Sequence, residues 1–159
     1  MLTVNNLTLT LHHRPLLREI AFSVSPGEVL TLMGPSGSGK STLFAWMIGA
    51  LEAPFHASGE LWLYNERCDE RPTERRRIGI LFQDALLFDH FSLLRALLAR
   101  PLALLLDEPF NRLDAELRAG FRRWVFDELA RLAIPAVLVT HDSGDIPDRG
   151  RCLNIRDWQ

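Results

Sequence analysis

The sequence predicts an α/β domain: a largely parallel sheet flanked by helices, preceded by an antiparallel β portion. Three observations carry that prediction. Short apolar runs without polar interruption recur at Val29–Met33, Ile78–Phe82, Leu102–Leu106 and Ala136–Thr140, the pattern of strands buried on both faces. Stretches with helical spacing separate them, as crossover connections between parallel strands require. A glycine-rich run, GPSGSGKST at residues 34–42, lies where the first of these strands gives way to a helix.

Taken in order, residues 2–11 and 20–24 alternate polar and apolar side chains as half-buried strands do, and Pro26-Gly27 turns the chain into Val29–Met33. Leu43–Leu51 has helical spacing, Pro54–Gly59 reads as a loop, and Glu60–Tyr64 alternates again. Cys68–Arg77 is charged and contains a proline, and is read as a solvated surface stretch. After Ile78–Phe82, the eighteen residues between Gln83 and Leu102 are enough for a crossover helix leading into Leu102–Leu106. Between Asp114 and Leu132 the residues Leu117, Phe121, Trp124, Val125, Leu129 and Leu132 form one helical stripe, which Pro135 terminates. Ala136–Thr140 is a further buried strand and Cys152–Ile155 a last short one.

Bulk properties narrow the classes. At 159 residues the chain fits one domain, with 47% hydrophobic and 24% charged residues, an ordinary globular balance. A formal charge of −2 offers no electrostatic case for nucleic acid. No apolar run has transmembrane length, and residues 1–10 lack the basic start of a signal peptide. Cys68 and Cys152 lie far apart with no Cys/His cluster, so free thiols and a cytoplasmic location are expected.

The chemistry centres on residues 34–42. Gly34, Gly39, Lys40 and Ser41 occupy the fixed positions of G-x-x-x-x-G-K-[ST]. The loop of Gly34, Pro35, Ser36, Gly37, Ser38, Gly39, Lys40, Ser41 and Thr42 can form an anion nest for phosphates from its backbone N–H groups, which Pro35 alone lacks. Lys40 can reach the outer phosphates, and the Ser41 hydroxyl can ligate Mg²⁺. Asp107-Glu108 ends an apolar strand, which delivers both carboxylates to the ligand-binding edge of such a sheet. Asp107 is then placed to hold Mg²⁺ opposite Ser41, and Glu108 to polarise an attacking water. Gln83 closes another strand, either as a ligand of Mg²⁺ or the lytic water or as an ordinary polar strand end; His141 is either a γ-phosphate donor or a loop histidine.

The joint order of these motifs resembles the ATP-binding subunits of ABC transporters, importer-type ones in particular. Residues 34–42 look like the Walker A motif, Leu81–Asp84 like the Q-loop and Leu102–Pro109 like Walker B with its catalytic glutamate. Asn111–Asp114 resembles the D-loop and Thr140–Asp142 the switch histidine. The resemblance spans the chain to about residue 155 and implies a P-loop NTPase core that binds ATP. It implies phosphate contacts from Lys40 and the loop amides, Mg²⁺ arranged by Ser41, Gln83 and Asp107, water polarised by Glu108, and γ-phosphate sensed by His141. It further implies a second ATP-binding subunit and membrane-spanning subunits as partners, at the cytoplasmic face of the membrane.

The chain departs from that family in one large respect. Only Asp84–Pro101, eighteen residues, separates the Q-loop from Walker B, and no LSGGQ-like string occurs. The family carries a helical subdomain there, with the signature that closes the ATP site across a dimer. The expectation is a single core domain over 1–159 with that subdomain deleted between about 92 and 93. Leu93–Ala99 resembles the C-terminal part of the family's signature helix, the part that leads into Walker B, and Ser92 is expected to serve as its N-cap. Two functions follow: an ATPase that binds Mg-ATP and hydrolyses it slowly, or a catalytically impaired nucleotide-binding or interaction module. Leu86, Leu87, Phe88 and Phe91 are expected to form an apolar patch where the subdomain would have covered them. Two smaller departures are Asn111, where the family usually has serine, and residues 9–14 (LTLHHR), where an aromatic residue that stacks on adenine is usual. His12 and His13 are then either base-stacking residues or surface histidines. A chromosome-maintenance or DNA-repair ATPase head shares the core motifs, but the coiled-coil heptads and basic stripes of that class are absent from the sequence.

Overall fold

The computed structural model describes residues 1–82 and 89–159, with residues 89–92 as backbone only. Among the described residues, two sheets and four α-helices make up the fold. An antiparallel sheet of order β2-β1-β4-β5 joins β1 (Leu2–Leu11), β2 (Arg14–Val24), β4 (Phe55–Leu63) and β5 (Glu66–Arg67). A five-stranded sheet of order β6-β7-β8-β3-β9 joins β3 (Val29–Met33), β6 (Ile78–Phe82), β7 (Ala103–Asp107), β8 (Ala136–Thr140) and β9 (Arg151–Asn154). Every pairing in this second sheet is parallel. The helices are α1 (Lys40–Ile48), α2 (Thr73–Arg76), α3 (Asp89–Leu98) and α4 (Ala115–Arg131).

Alternation along the parallel strands splits the interior into two cores. Leu30, Leu32, Ala103, Leu105, Val137 and Val139 pack with α1 and the antiparallel sheet. Val29, Leu104, Leu106, Ala136 and Leu138 pack instead with α3 and α4. Both faces of the parallel sheet are therefore covered, which is why its strands read as unbroken apolar runs. On the α4 side, fully buried Phe110 meets Phe121 edge-on at 5.7 Å and Phe126 at 6.0 Å. It anchors the chain two residues past Glu108, and truncating such a side chain costs about 3–5 kcal/mol.

Several expectations need correction. β2 begins at Arg14, six residues before residue 20, because His12 and His13, at φ 47° and 63°, make a tight hairpin turn. Its alternation is masked by an irregularity at Glu19, φ 53°. Residues 55–59 are strand, not loop: Phe55 pairs with Leu11, and a Cβ at Gly59 would press on the Leu7 backbone at 2.5 Å. That glycine marks a close backbone approach inside a strand. Pairing with β1 outweighs the local turn signal.

The Cys68–Arg77 stretch is not wholly solvated. Arg76 is buried and donates to the carbonyls of Trp46 (2.8 Å) and Met47 (3.2 Å), capping the C-terminus of α1, and to those of Asp69 and Arg71. Cations are favoured at that helix end. Burial holds the Arg76 guanidinium below its ordinary range and raises the Cys68 thiol to about 11. Within the α4 stripe, Leu117 and Leu132 are exposed while Phe121, Val125 and Leu129 are buried, because the helix ends overhang the sheet. α3 spans Asp89–Leu98, so Ser92 lies inside the helix rather than capping it. Leu93, Ala96 and Leu97 face the sheet, whereas Leu94 and Leu98 are exposed. Among the described residues no helix is long and apolar enough to cross a membrane.

Candidate functional site

β3, between β8 and β9 in the parallel sheet, delivers the chain to residues 34–39, and α1 starts immediately after them. Gly39 caps α1 at φ 98°, a left-handed conformation that a side chain would strain, and no side chain bonds the first-turn amides. Those amide donors and the positive end of the helix dipole suit an anion. Gly34 is required for another reason, since a Cβ there would collide with the Ile155 side chain.

Lys40 folds back over the loop. Its Nζ donates to the carbonyls of Gly34 (2.5 Å) and Pro35 (2.7 Å) and to Ser38 Oγ (3.3 Å). Burial lowers the ammonium from the ordinary lysine range, while the charges of Glu108 and Asp107 pull it back up. The two carboxylates thus lie close enough to be felt at Lys40.

Asp107 ends β7, in register with Phe82 on one side and Val139 on the other. Burial, and then the neighbouring Glu108, raise its carboxyl above the usual aspartate range; Lys40 opposes that rise. Glu108 follows at φ 46°, held by its amide bond to the Val139 carbonyl at 2.9 Å. Its Oε2 accepts from Asn111 Nδ2, and its Oε1 lies 3.3 Å from His141 Nδ1. Asn111, the departure at the start of the D-loop, thereby becomes a third member of a Glu108–His141 cluster.

His141 is itself positioned by a buried ion pair. Asp145 accepts from Arg118 Nε (2.9 Å), Arg122 Nη1 (2.9 Å) and Thr140 Oγ1 (3.0 Å). Thr140 Oγ1 also accepts from the Asp142 amide at 3.1 Å, so α4 grips the loop on either side of His141. Burial works against the Asp145 charge, but these bonds outweigh it and hold the carboxyl below its ordinary range.

A cleft of about 440 Å³ joins the pieces, within the roughly 300–1,000 Å³ of small-molecule sites. Ser36, Gly37, Gly39, Lys40, Ser41 and Thr42 form its floor, and Asp107 and Glu108 its acidic end. Of the other residues read from sequence, Gly34, Pro35 and Ser38 make the seat of Lys40, and His141 reaches the cleft through Glu108. Gln83 lies outside the described residues, as do Leu86, Leu87 and Phe88; Phe91 and Ser92 are described as backbone only. A hydroxyl and one carboxylate on one cleft fit Mg²⁺, which prefers one or two protein oxygens plus phosphates. Among the described residues no cluster of three or more His, Cys, Asp or Glu could hold a metal alone.

Four lining residues, Leu11, Leu16, Phe55 and Val139, were not singled out in the sequence. Leu11, Leu16 and Phe55 form the apolar wall of the cleft. Residues 9–14 indeed place no aromatic ring there, and His13 stacks on His56 at 5.9 Å instead. The ring on the cleft wall comes from β4, the strand whose first residues read as loop; only its pairing with β1 brings it in.

A glycine loop on a helix N-terminus, facing paired carboxylates at the edge of a parallel sheet, defines an α/β nucleotide-binding core. A family model described as ABC transporter matches residues 17–94. An uncharacterized ABC transporter ATP-binding protein of Escherichia coli, YnjD, is 46% identical over 209 aligned positions, covering 99% of this chain and 96% of that protein. This chain belongs to the ABC transporter ATP-binding family.

The sulfate/thiosulfate import ATP-binding protein CysA of Methylococcus capsulatus is 30% identical, covering 95% of this chain and 60% of that protein. The Fe(3+) ions import ATP-binding protein FbpC 3 of Rhodococcus jostii is 33% identical, covering 80% and 51% respectively. The chain thus spans about half to three-fifths of these import proteins. Against the Escherichia coli relative, 209 aligned positions and a chain of 159 residues leave at least 50 positions unfilled here.

Proposed function

We propose that this chain binds Mg-ATP within its own core, and that hydrolysis is slow because one wall of the site is missing. The observation that carries the reading is the shared cleft: loop amides, Lys40 and Ser41 on one side, Asp107 and Glu108 on the other. Loop and first-turn amides would take the α- and β-phosphates, with Lys40 exchanging its loop carbonyls for the outer phosphates. Ser41 and Asp107, with Gln83, would hold Mg²⁺, which neutralises charge on the transferred phosphoryl group. Glu108 would accept a proton from the attacking water, steadied by Asn111 and His141. His141 would also donate toward the γ-phosphate.

The impaired step follows from length. Eighteen residues connect Gln83 to Leu102, and the match to the family model stops at residue 94. The unfilled positions of the alignment with the Escherichia coli relative agree in size with a deleted subdomain. α3 runs unbroken across residues 92 and 93, where the junction is placed. Losing one preorganised donor typically costs about 10²–10³-fold in rate, and the signature supplies several. The membrane-spanning subunits and second ATP-binding subunit of a transporter are the partners that family membership brings, at the cytoplasmic membrane face. Their docking surface is reduced here by the same deletion.

The test is Mg-ATP binding by calorimetry and steady-state hydrolysis for the wild type, Lys40→Ala and Glu108→Gln. Binding is expected in the wild type and Glu108→Gln, with a loss of at least tenfold in Lys40→Ala, and turnover barely above the Glu108→Gln background. No binding by the wild type, or equal binding by folded Lys40→Ala, would sink the reading. Turnover of several per second would refute the impairment.

A further inference from the structure

The cleft is polar along its floor and acidic at one end, but the wall of Leu11, Leu16 and Phe55 carries no polar side chain. This wall is not a separate patch. Gly39 packs directly against it, since a Cβ there would meet Leu17 Cδ1 at 3.0 Å and Leu16 Cδ2 at 3.3 Å. The loop that would hold phosphates therefore abuts the apolar surface. Among the described residues lining the cleft, Phe55 is the one aromatic side chain, and it is half-buried, with part of its surface open to a ligand.

Its position is set by the sheet. Phe55 opposes Leu11 in the β1–β4 ladder, one residue from the hairpin turn at His12 and His13. His56, the next residue, lies on the other face and stacks on His13. The strand thus divides its two rings: one against a histidine outside, the other on the cleft wall.

We infer that Phe55 is the stacking platform for the nucleoside base, supplied from β4, and that it accepts purine bases without discriminating among them. The inference rests on the phosphate-end reading above. A nucleoside triphosphate has a charged end and a flat apolar end; the loop and carboxylates accommodate the first, leaving the apolar wall for the second. Stacking on a phenyl face tolerates any base, because every base has a π-face. Discrimination would need side-chain donors or acceptors aimed at the base edge, and Leu11, Leu16 and Phe55 provide none.

The experiment measures affinities of Mg-ATP, Mg-GTP and Mg-tripolyphosphate, which has no base, for the wild type, Phe55→Ala and Phe55→Trp, with thermal melts to confirm folding. In the wild type, ATP and GTP are expected within about threefold of each other. Phe55→Ala should weaken both nucleotides about tenfold and leave tripolyphosphate unchanged, and Phe55→Trp should restore nucleotide binding. Unchanged nucleotide affinity in Phe55→Ala, or an equal loss for tripolyphosphate, overturns the platform. A wild-type preference above tenfold for one purine overturns its lack of discrimination. If wild type binds tripolyphosphate normally but neither nucleotide tighter, the base site alone fails. If it binds none of the three, the phosphate-site reading fails and this inference falls with it.

Discussion

Lys40 and Asp107 are shifted in opposite directions from their ordinary ranges, and under the proposed function both shifts bear on ligand binding. Burial lowers Lys40 and raises Asp107. A bound triphosphate favours the protonated lysine, so affinity is lost as pH rises through the lowered Lys40 value, earlier than about 10.4 for a free lysine. Mg²⁺ favours the ionised aspartate, so Mg-dependent affinity is lost as pH falls through the raised Asp107 value, before the roughly 3.9 of a free aspartate is reached. The expected profile of Mg-ATP affinity is a bell narrowed on both sides. Calorimetry across pH checks it: Lys40→Arg should extend the alkaline limb, and a limb that stays put would show that Lys40 does not set it. Most of these residues were legible in sequence because glycine spacing and strand-end carboxylates are local patterns. Phe55 was not, since nothing near it in the chain announces a cleft; its partner Leu11 is 44 residues away and the pairing is tertiary.

Among the elements, the junction of α4 with the end of β8 has the clearest energetic consequence. Asp145 is 1% exposed and bonded to Arg118, Arg122 and Thr140. Its carboxyl titrates below the ordinary range, so its stabilising contribution is present above about pH 3.9 and lost as pH falls through the lower folded-state value. Asp145→Ala removes this carboxylate from Arg122 and leaves Arg118 paired with Asp142 at 3.0 Å, and should cost about 1.5–3 kcal/mol at neutral pH. Denaturant melts from pH 3 to 7 check both points, because the variant should also show a shallower acid limb. The stripe in α4 was legible from period 3.6, but not which end overhangs the sheet: exposed Leu117 and buried Phe121 are equally apolar in sequence. Asp145 gave no sign of its role either, since two helix arginines and a strand threonine meet it only after folding.

For the whole molecule, the consequential surface lies beside β6 and α3. Phe82 is 53% exposed, Leu94 43% and Leu98 79%. Exposed apolar side chains on these two elements favour binding of hydrophobic dyes and self-association. The chain should enhance the fluorescence of such a dye in its folded state and sediment as concentration-dependent oligomers at low salt. Replacing Leu94 and Leu98 with glutamate should suppress both effects without lowering the melting temperature. A monodisperse monomer that binds no dye would count against this expectation.

Sequence alone determined the α/β class, the parallel strands and the phosphate loop, because each depends on residues adjacent in the chain or repeating at a fixed period. It also showed the shortened interval between Phe82 and Leu102. Tertiary structure alone decided three matters. It drew residues 55–59 into the antiparallel sheet, set Glu108 against His141, and buried Arg76 over the end of α1. In each, a polar group or backbone edge found a partner distant in sequence, and the free energy of leaving it unpaired overrode the local preference.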